Sequence, residues 1–311
     1  MTALFPHTKY KMKIALSFAG LIMCLLVQAQ QRVVMPLEQV KNRFRPYSGT
    51  YIPEFSGHCI LNVPVTIDTT TLAVTYDLSV KFDTLVRRDR VVAEIGNRHT
   101  KFYSLYLWEL SMNHTDPKRN VVYEWMRECT ALLPSVIYVD KTKRQITNRV
   151  LLPYRDNFLY EYHEPLPKIS WVYDSEEKEV AGYRCLKAAC RFRGREWTVW
   201  YTTEIPCFLG FWKFSGLPGM ILSASDSDGE YDFTAVEIRQ PSTPMIRYRV
   251  PGKRETREGI RRAEKKIYGH PLDAFFAQVG QNYFVVSLNG ETEIITPEDN
   301  VTIPYNPIER E

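Results

Sequence analysis

The sequence predicts a mainly β fold: a large antiparallel sheet with one or two late helices as cover. Three observations predict it. Tyr, Phe and Trp number nineteen, fifteen and six in 311 residues, and aromatic residues favour strands. Short β-branched and aromatic runs recur between turn signals such as Arg193-Gly194-Arg195, Asp228-Gly229 and Asn289-Gly290. One clear helical pattern occurs, and it comes late, after Pro241 and Pro244. A succession of hairpins with a single late helix makes an antiparallel sheet with limited helical cover.

In chain order, residues 1–29 read as a signal peptide. Lys9, Lys11 and Lys13 precede the apolar run Ile14–Val27, and Val27-Gln28-Ala29 places small residues at a cleavage site. Met12 would serve equally well as the start. The run is shorter than the roughly 20 residues a membrane span needs, so no transmembrane segment is expected after cleavage. Loss of this leader removes three Lys and no acid, which lowers the net charge from +4 to +1. A nearly neutral mature chain lacks the field of a nucleic-acid binder.

Residues 30–58, with Pro36, Pro46 and Pro53, read as an irregular lead-in, and 59–311 as a single β-rich domain. Thr71–Phe82 and Arg88–Ile95 are expected to pair. Thr100–Leu110 fits a strand or a helix face. Ser135–Val139 pairs with Gln145–Leu151 across Asp140–Arg144. Ser170–Tyr173, Tyr183–Phe192 and Glu196–Tyr201 follow as consecutive strands, then Met220–Ser225 and Tyr231–Ile238 around a two-residue Asp228-Gly229 turn. Lys253–Tyr268 is a charged helix with an apolar stripe at Ile260, Ala263 and Ile267. Its acids at Glu255, Glu258 and Glu264 make it a solvated cover rather than a membrane-surface helix. Tyr283–Leu288 and Glu291–Thr296 form a last hairpin.

The chemistry-bearing patterns are sparse. There is no GxSxG, HExxH or P-loop motif. Beyond Cys24 in the leader, Cys59, Cys129, Cys185, Cys190 and Cys207 make an odd set with no CxxC. Cys185 and Cys190 lie about 16 Å apart on one strand and point to opposite faces, so they cannot bridge each other. His58-Cys59 would point apart on a strand. His163-Glu164 reads as a loop pair between prolines, and Asp226–Glu230 lacks the remaining ligands of a calcium loop. No catalytic residue, metal ligand or cofactor is therefore expected.

The most conformationally specific stretch is Ser215–Leu222, S-G-L-P-G-M-I-L. Pro218 suits the second position of a turn, and Gly219 is expected to supply the positive φ of a type II turn. Gly216 would leave room for a close backbone approach, and Leu217 precedes the turn. Trp197, Trp200, Tyr201, Phe208, Phe211, Trp212 and Phe214 crowd the residues before it. They form either core or the lining of an apolar cavity. For the cavity, the candidate ligand-lining set is Trp197, Trp200, Tyr201, Phe211, Trp212 and Phe214.

These residues resemble the GLPGLI family, exported proteins mostly of Bacteroidota. The matching block includes Gly182-Tyr183-Arg184-Cys185, Trp200-Tyr201-Thr202, Glu204-Ile205-Pro206, Gly216–Leu222 and Asp228-Gly229, with Asn306-Pro307-Ile308-Glu309 as a similar ending. Met220 replaces the second Leu of the name motif, and Phe211-Trp212 stands where Gly-Pro is usual. The family has no assigned reaction, so the resemblance implies no catalytic residue. It implies a half-barrel similar to lipoprotein carriers, a place in the periplasm, on the outer membrane or outside it, and company with outer-membrane transport systems. The expectation is a non-enzymatic binding or accessory protein for an apolar or lipid-like ligand or a transport partner. A filled-core interaction module is the alternative, and an envelope hydrolase the last choice.

Overall fold

The computed structural model describes residues 63–109, 132–152, 159–249, 252–271, 273–274, 277, 284–288, 291–295 and 305–311. The expected signal peptide, the lead-in, Cys24, His58, Cys59, Cys129 and the Asn289-Gly290 turn lie outside the described residues.

In chain order the strands are β1 (Val63–Thr70), β2 (Leu72–Phe82), β3 (Leu85–Ile95), β4 (His99–Ser104), β5 (Ser135–Asp140), β6 (Gln145–Leu151) and β7 (Leu159–Pro165). There follow β8 (Val172–Val180), β9 (Tyr183–Phe192), β10 (Arg195–Thr202), β11 (Met220–Asp226), β12 (Tyr231–Arg239), β13 (Thr243–Arg249) and β14 (Gly252–Arg254). The helix α1 (Arg257–Gly269) and the hairpin β15 (Phe284–Leu288) with β16 (Glu291–Ile295) complete them. The expected mainly β class holds, with one large, mostly antiparallel sheet.

That sheet has twelve strands in the order β14-β7-β6-β5-β4-β3-β2-β12-β11-β10-β9-β8. It consists of two meanders, β2 to β7 and β8 to β12, joined by the long-range pair β2–β12. β7 and β8 therefore lie near opposite edges, yet only six residues connect them. A flat sheet would separate them by ten strand spacings, about 48 Å, whereas six linking residues reach at most about 24 Å. The sheet is curled so that its edges approach without closing.

The two faces are buried differently. Ile137 and Val139 of β5 join a large cluster with Val74, Tyr76, Phe102, Trp197 and Phe233 inside the curl. The alternate residues Val136 and Tyr138 join a smaller cluster with Val92, Tyr103 and Leu107 on the other face. The ribbon β1–β13 covers that second face: Lys101 donates to the Ile246 carbonyl at 3.1 Å and Arg149 to the Tyr248 carbonyl at 2.9 Å.

Several expected boundaries change. The ambiguous Thr100–Leu110 is both things: strand to Ser104, then helical over 105–109. His163-Glu164 lies in β7, not in a loop. The Asp228-Gly229 loop spans four residues rather than two. The Asp226 carboxylate accepts from the Glu230 and Tyr231 N–H groups, each at 2.8 Å, and holds the loop open. The first expected strand of the central block starts at Val172, not Ser170, and continues to Val180 as an exposed, charged edge. The helix starts at Arg257 rather than Lys253, because residues 252–254 pair in parallel with β7. Thr256 caps it, accepting from the Gly259 N–H at 3.0 Å, and Ile260 and Ile267 are its buried stripe.

Candidate functional site

The connection from β10 to β11, residues 203–219, does not turn back directly as antiparallel neighbours usually do. It enters the curled sheet and fills it. Phe211 meets Tyr76 of β2, Phe102 of β4 and Phe233 of β12 at ring-centroid distances of 5.0, 5.6 and 5.1 Å. Trp212 packs on Trp197 and Phe192, and Phe214 on Trp171 and Trp197. Lys213, between them, reaches Tyr162 and Glu164 of β7. Four consecutive residues thus touch strands from β7 to β9, which only the curl allows.

The Ser215–Leu222 corner holds this insertion in place. Ser215 Oγ donates to the Pro167 carbonyl at 2.6 Å, and Trp171 Nε1 donates to the Ser215 carbonyl at 2.9 Å. The β7–β8 linker is thereby pinned to the corner. The two glycines exchange their expected roles. Gly216 carries the positive φ, +96°, whereas Gly219 does not. A Cβ on Gly219 would stand 1.9 Å from the Thr202 carbonyl oxygen and 2.6 Å from its carbon. Gly219 is there for close backbone contact, and the type II turn reading is corrected. Trp212 itself has a φ of +46°, a conformation a bulky residue adopts only when its packing enforces it.

The six candidate lining rings are all buried: Trp197, Trp200, Tyr201, Phe211, Trp212 and Phe214. Most contact one another. Trp200 instead lies under the Lys178 ammonium, 4.5 Å away, and Tyr201 against Tyr173. Phe208, the seventh ring of the run, is 64% exposed. A void of only about 10 Å³ adjoins Phe211 and Phe214. The larger space, about 140 Å³, lies under α1, and of the six rings Trp212 alone borders it. Leu133, Val150, Tyr231 and Ile260 wall it, and the segment 305–309 closes one end.

Beside this cleft sits a charged network that sequence reasoning missed. The Lys213 side chain is fully buried, 2.6 Å from Glu164 and 2.5 Å from Glu309. Arg257 of α1 donates to Glu309 at 2.5 Å, and Arg193 pairs with Glu164. Burial disfavours the Lys213 ammonium, but Glu309, Tyr162 and Glu164 more than reverse this and hold its pKa above the lysine range. Burial likewise pushes Glu309 up, and Lys213 and Arg257 bring it below the usual carboxylate value. Glu264, on the cleft side of α1, goes the other way: desolvation and the charge of Glu309 raise it to about 7. The lone cation in F-W-K-F, a charge set among rings, was the sequence signal for this network.

A second node uses the acids of the calcium-like loop. Ligand oxygens of Asp226, Asp228 and Glu230 fall within 4.8 Å of one another. Arg195 donates to Asp226 at 2.5 Å and to Glu230 at 2.7 Å, and Arg310 to Asp228 at 2.6 Å and Glu230 at 2.5 Å. Two guanidinium groups already pair with all three carboxylates of this set. Arg195 also donates to Asn306 Oδ1 and to the Pro307 and Ile308 carbonyls, so both nodes fasten the segment 306–310 across the curl. Among the described cysteines, Cys185, Cys190 and Cys207 are buried free thiols. Burial raises Cys185 to about 11 and Cys190 to about 12, far from a reactive thiolate.

No protein-family model matches the chain. No curated protein matches it. Among solved structures, PNGF-II in its P21 form is similar over 64% of this chain at 12% identity and a TM-score of 0.42. The chain spans about a third of that protein, 34% of its length. An uncharacterized conserved protein from Thermus thermophilus aligns at 12% identity over 56% of this chain and 80% of its own, with a TM-score of 0.29. A LolA superfamily protein from Nitrosomonas europaea aligns at 10% identity over 57% of this chain and 88% of its own, with a TM-score of 0.24. At such values the chemistry of the cleft rests on its own residues.

Proposed function

We propose that this is an exported, non-enzymatic binding protein of the cell envelope that holds an apolar or lipid-like ligand in the cleft beneath α1. The supporting observation is an apolar-walled space of about 140 Å³ roofed by an amphipathic helix that buries only Ile260 and Ile267. The leader pattern and the GLPGLI resemblance support export and an envelope partner such as an outer-membrane transport component. No helix among the described residues is long and apolar enough to cross a membrane.

The size of the cleft limits the ligand. Drug-sized sites occupy roughly 300–1,000 Å³, whereas an apolar cavity of about 150 Å³ takes up a benzene. The cleft thus suits a small apolar body or the end of a chain, and a whole acyl chain would have to displace α1. Native mass spectrometry of the protein purified from its own host tests the reading. A co-purified ligand mass is expected, and a clean apo mass overturns it in favour of a filled-core interaction module. That second reading is favoured by the insertion of residues 203–219, whose buried rings occupy the space a larger ligand would need.

A further inference from the structure

Among the described residues, six buried side-chain atoms lack a hydrogen-bond partner, and three of them belong to residues bordering the 140 Å³ cleft: Asn148 Oδ1, Arg257 Nη2 and Arg261 Nε. A buried polar group left unmade costs about 1–3 kcal/mol, so native structures keep few of them and seldom cluster them by chance. Asn148 is 6% exposed. Its Nδ2 donates to the Tyr162 hydroxyl at 2.6 Å, and that hydroxyl also accepts from Lys213 at 2.8 Å. The unpartnered Asn148 atom is therefore the acceptor Oδ1, whereas the two arginine atoms are N–H donors.

The charges agree. Among the described residues, the charged groups that border the cleft are Arg87, Arg257 and Arg261 against two carboxylates, Glu264 and Glu309. Glu264, raised to about 7, is not fully ionised at neutral pH, which widens the positive excess. Excess positive charge with unmade donors, beside an apolar wall, is the complement of an anion with an apolar body.

We propose that the cleft takes a small monocarboxylate, with its apolar body against Val150, Trp212 and Ile260 and its carboxylate on Arg257 and Arg261. This rests on the reading of the cleft as a ligand site. A guanidinium fork matches a carboxylate, and one negative charge balances the local excess without overshooting it, as a phosphate dianion would.

The test uses the full chain and four probes: hexanoate, 1-hexanol, hexylamine and inorganic phosphate. Binding is followed by calorimetry and by the methyl resonances of Val150 and Ile260. Hexanoate is expected to bind at least tenfold tighter than the other three and to shift those methyls. Arg261→Gln should remove the tenfold preference, and Lys265→Gln, on the exposed face of the same helix, should keep it. Equal binding of hexanoate and hexanol overturns the anion inference and leaves the cleft as an apolar site. Phosphate binding as tightly as hexanoate reduces it to a free-anion site. A preference that survives in Arg261→Gln, or disappears in Lys265→Gln, also overturns it. If none of the four binds, the cleft itself is not a ligand site.

Discussion

Phe211, Trp212 and Phe214 on one hand and Lys213 on the other lie in the same four residues, yet they serve interiors of opposite kind. The rings enter a dry, complementary core between β2, β4, β10 and β12, where each aromatic edge meets another ring. Lys213 leaves that core and enters a polar one, where Glu164 and Glu309 each hold Lys213 and a guanidinium while side-chain atoms of Asn148, Arg193, Arg257 and Arg261 remain unpartnered. The first interior is specified by shape and leaves a void of only about 10 Å³. The second is specified by charge and is incompletely satisfied. The proposed binding function rests on the second, although the first contains the residues with the stronger sequence signature.

The difference can be broken first at the corner. Gly219→Ala places a methyl inside van der Waals contact with backbone on β10. The cost should exceed about 4 kcal/mol, because neither side can yield without moving a strand. No cooperative thermal transition is expected by circular dichroism. Gly216→Ala meets only Trp171 at 3.6 Å and should cost about 1–2 kcal/mol for its positive φ. If the two variants lose equal stability, the close-contact account of Gly219 is wrong.

Next in size is the pair that compares the two interiors directly. Phe211→Ala should cost about 3–5 kcal/mol as a cavity term. Lys213→Met should also cost about 3–5 kcal/mol, but by taking from Glu164 and Glu309 the cation they share, leaving each buried with a single guanidinium. The two are told apart by adding Glu309→Gln to each. It should restore more than about 1 kcal/mol beside Lys213→Met and nothing beside Phe211→Ala, as urea-unfolding cycles would show. Additivity in both backgrounds would sink the charge-network reading.

The pH dependence is smaller. Glu264 has a folded pKa raised to about 7 from 4.5, so its ionisation works against the fold above about pH 7. Stability should therefore rise as pH falls from 8 toward 5, and Glu264→Gln should flatten part of that rise. Asp89, raised by burial to about 7 outside the cleft, contributes the same sign and should remain in that variant. Glu309 has the opposite sign: its lowered pKa stabilises the fold above about pH 4.5, and this is lost as pH falls through the folded value. Chemical denaturation across pH 4–8 measures both.

The smallest effect is expected at the roof. Thr256→Ala removes the α1 cap and should cost about 1 kcal/mol. Hydrogen exchange should quicken in α1 amides while β10–β12 amides keep their rates. Equal quickening of both would mean that the roof and the aromatic core are one cooperative unit.

Much of the sheet was legible because alternation and turn chemistry are local. Ser135–Val139 with Gln145–Leu151, Tyr183–Phe192, Met220–Ser225 and the last hairpin all fall within a residue or two of the observed strands. What failed was decided at a distance. β1, β7 and β13 carry Pro64, Pro165 and Pro244, which argue against strands until one sees that β1 and β13 pair only with each other and that Pro165 ends β7. Gly219 reads as a turn residue from its neighbours, but Thr202, across the insertion, decides its role. The aromatic run announced burial without its destination, since its partners lie on β2, β4 and β12. The cleft was less legible still: Lys213, Glu164, Arg257 and Glu309 come from four separate segments, and apart from Lys213 among its rings each alone looks like an ordinary surface charge.

The fastening of residues 306–310 has a consequence for the order in which the fold assembles. Arg195 reaches partners 111 to 113 residues later in the chain, and Lys213 waits on Glu309. In chain synthesis Lys213 already has Glu164 behind it and Arg195 meets Asp226 and Glu230 within 31 to 35 residues, so each cation is half paired before the segment 306–309 exists. Docking of that segment, with Glu309 on Lys213 and Asn306 on Arg195, would therefore act as a late clasp on networks that the meanders have begun.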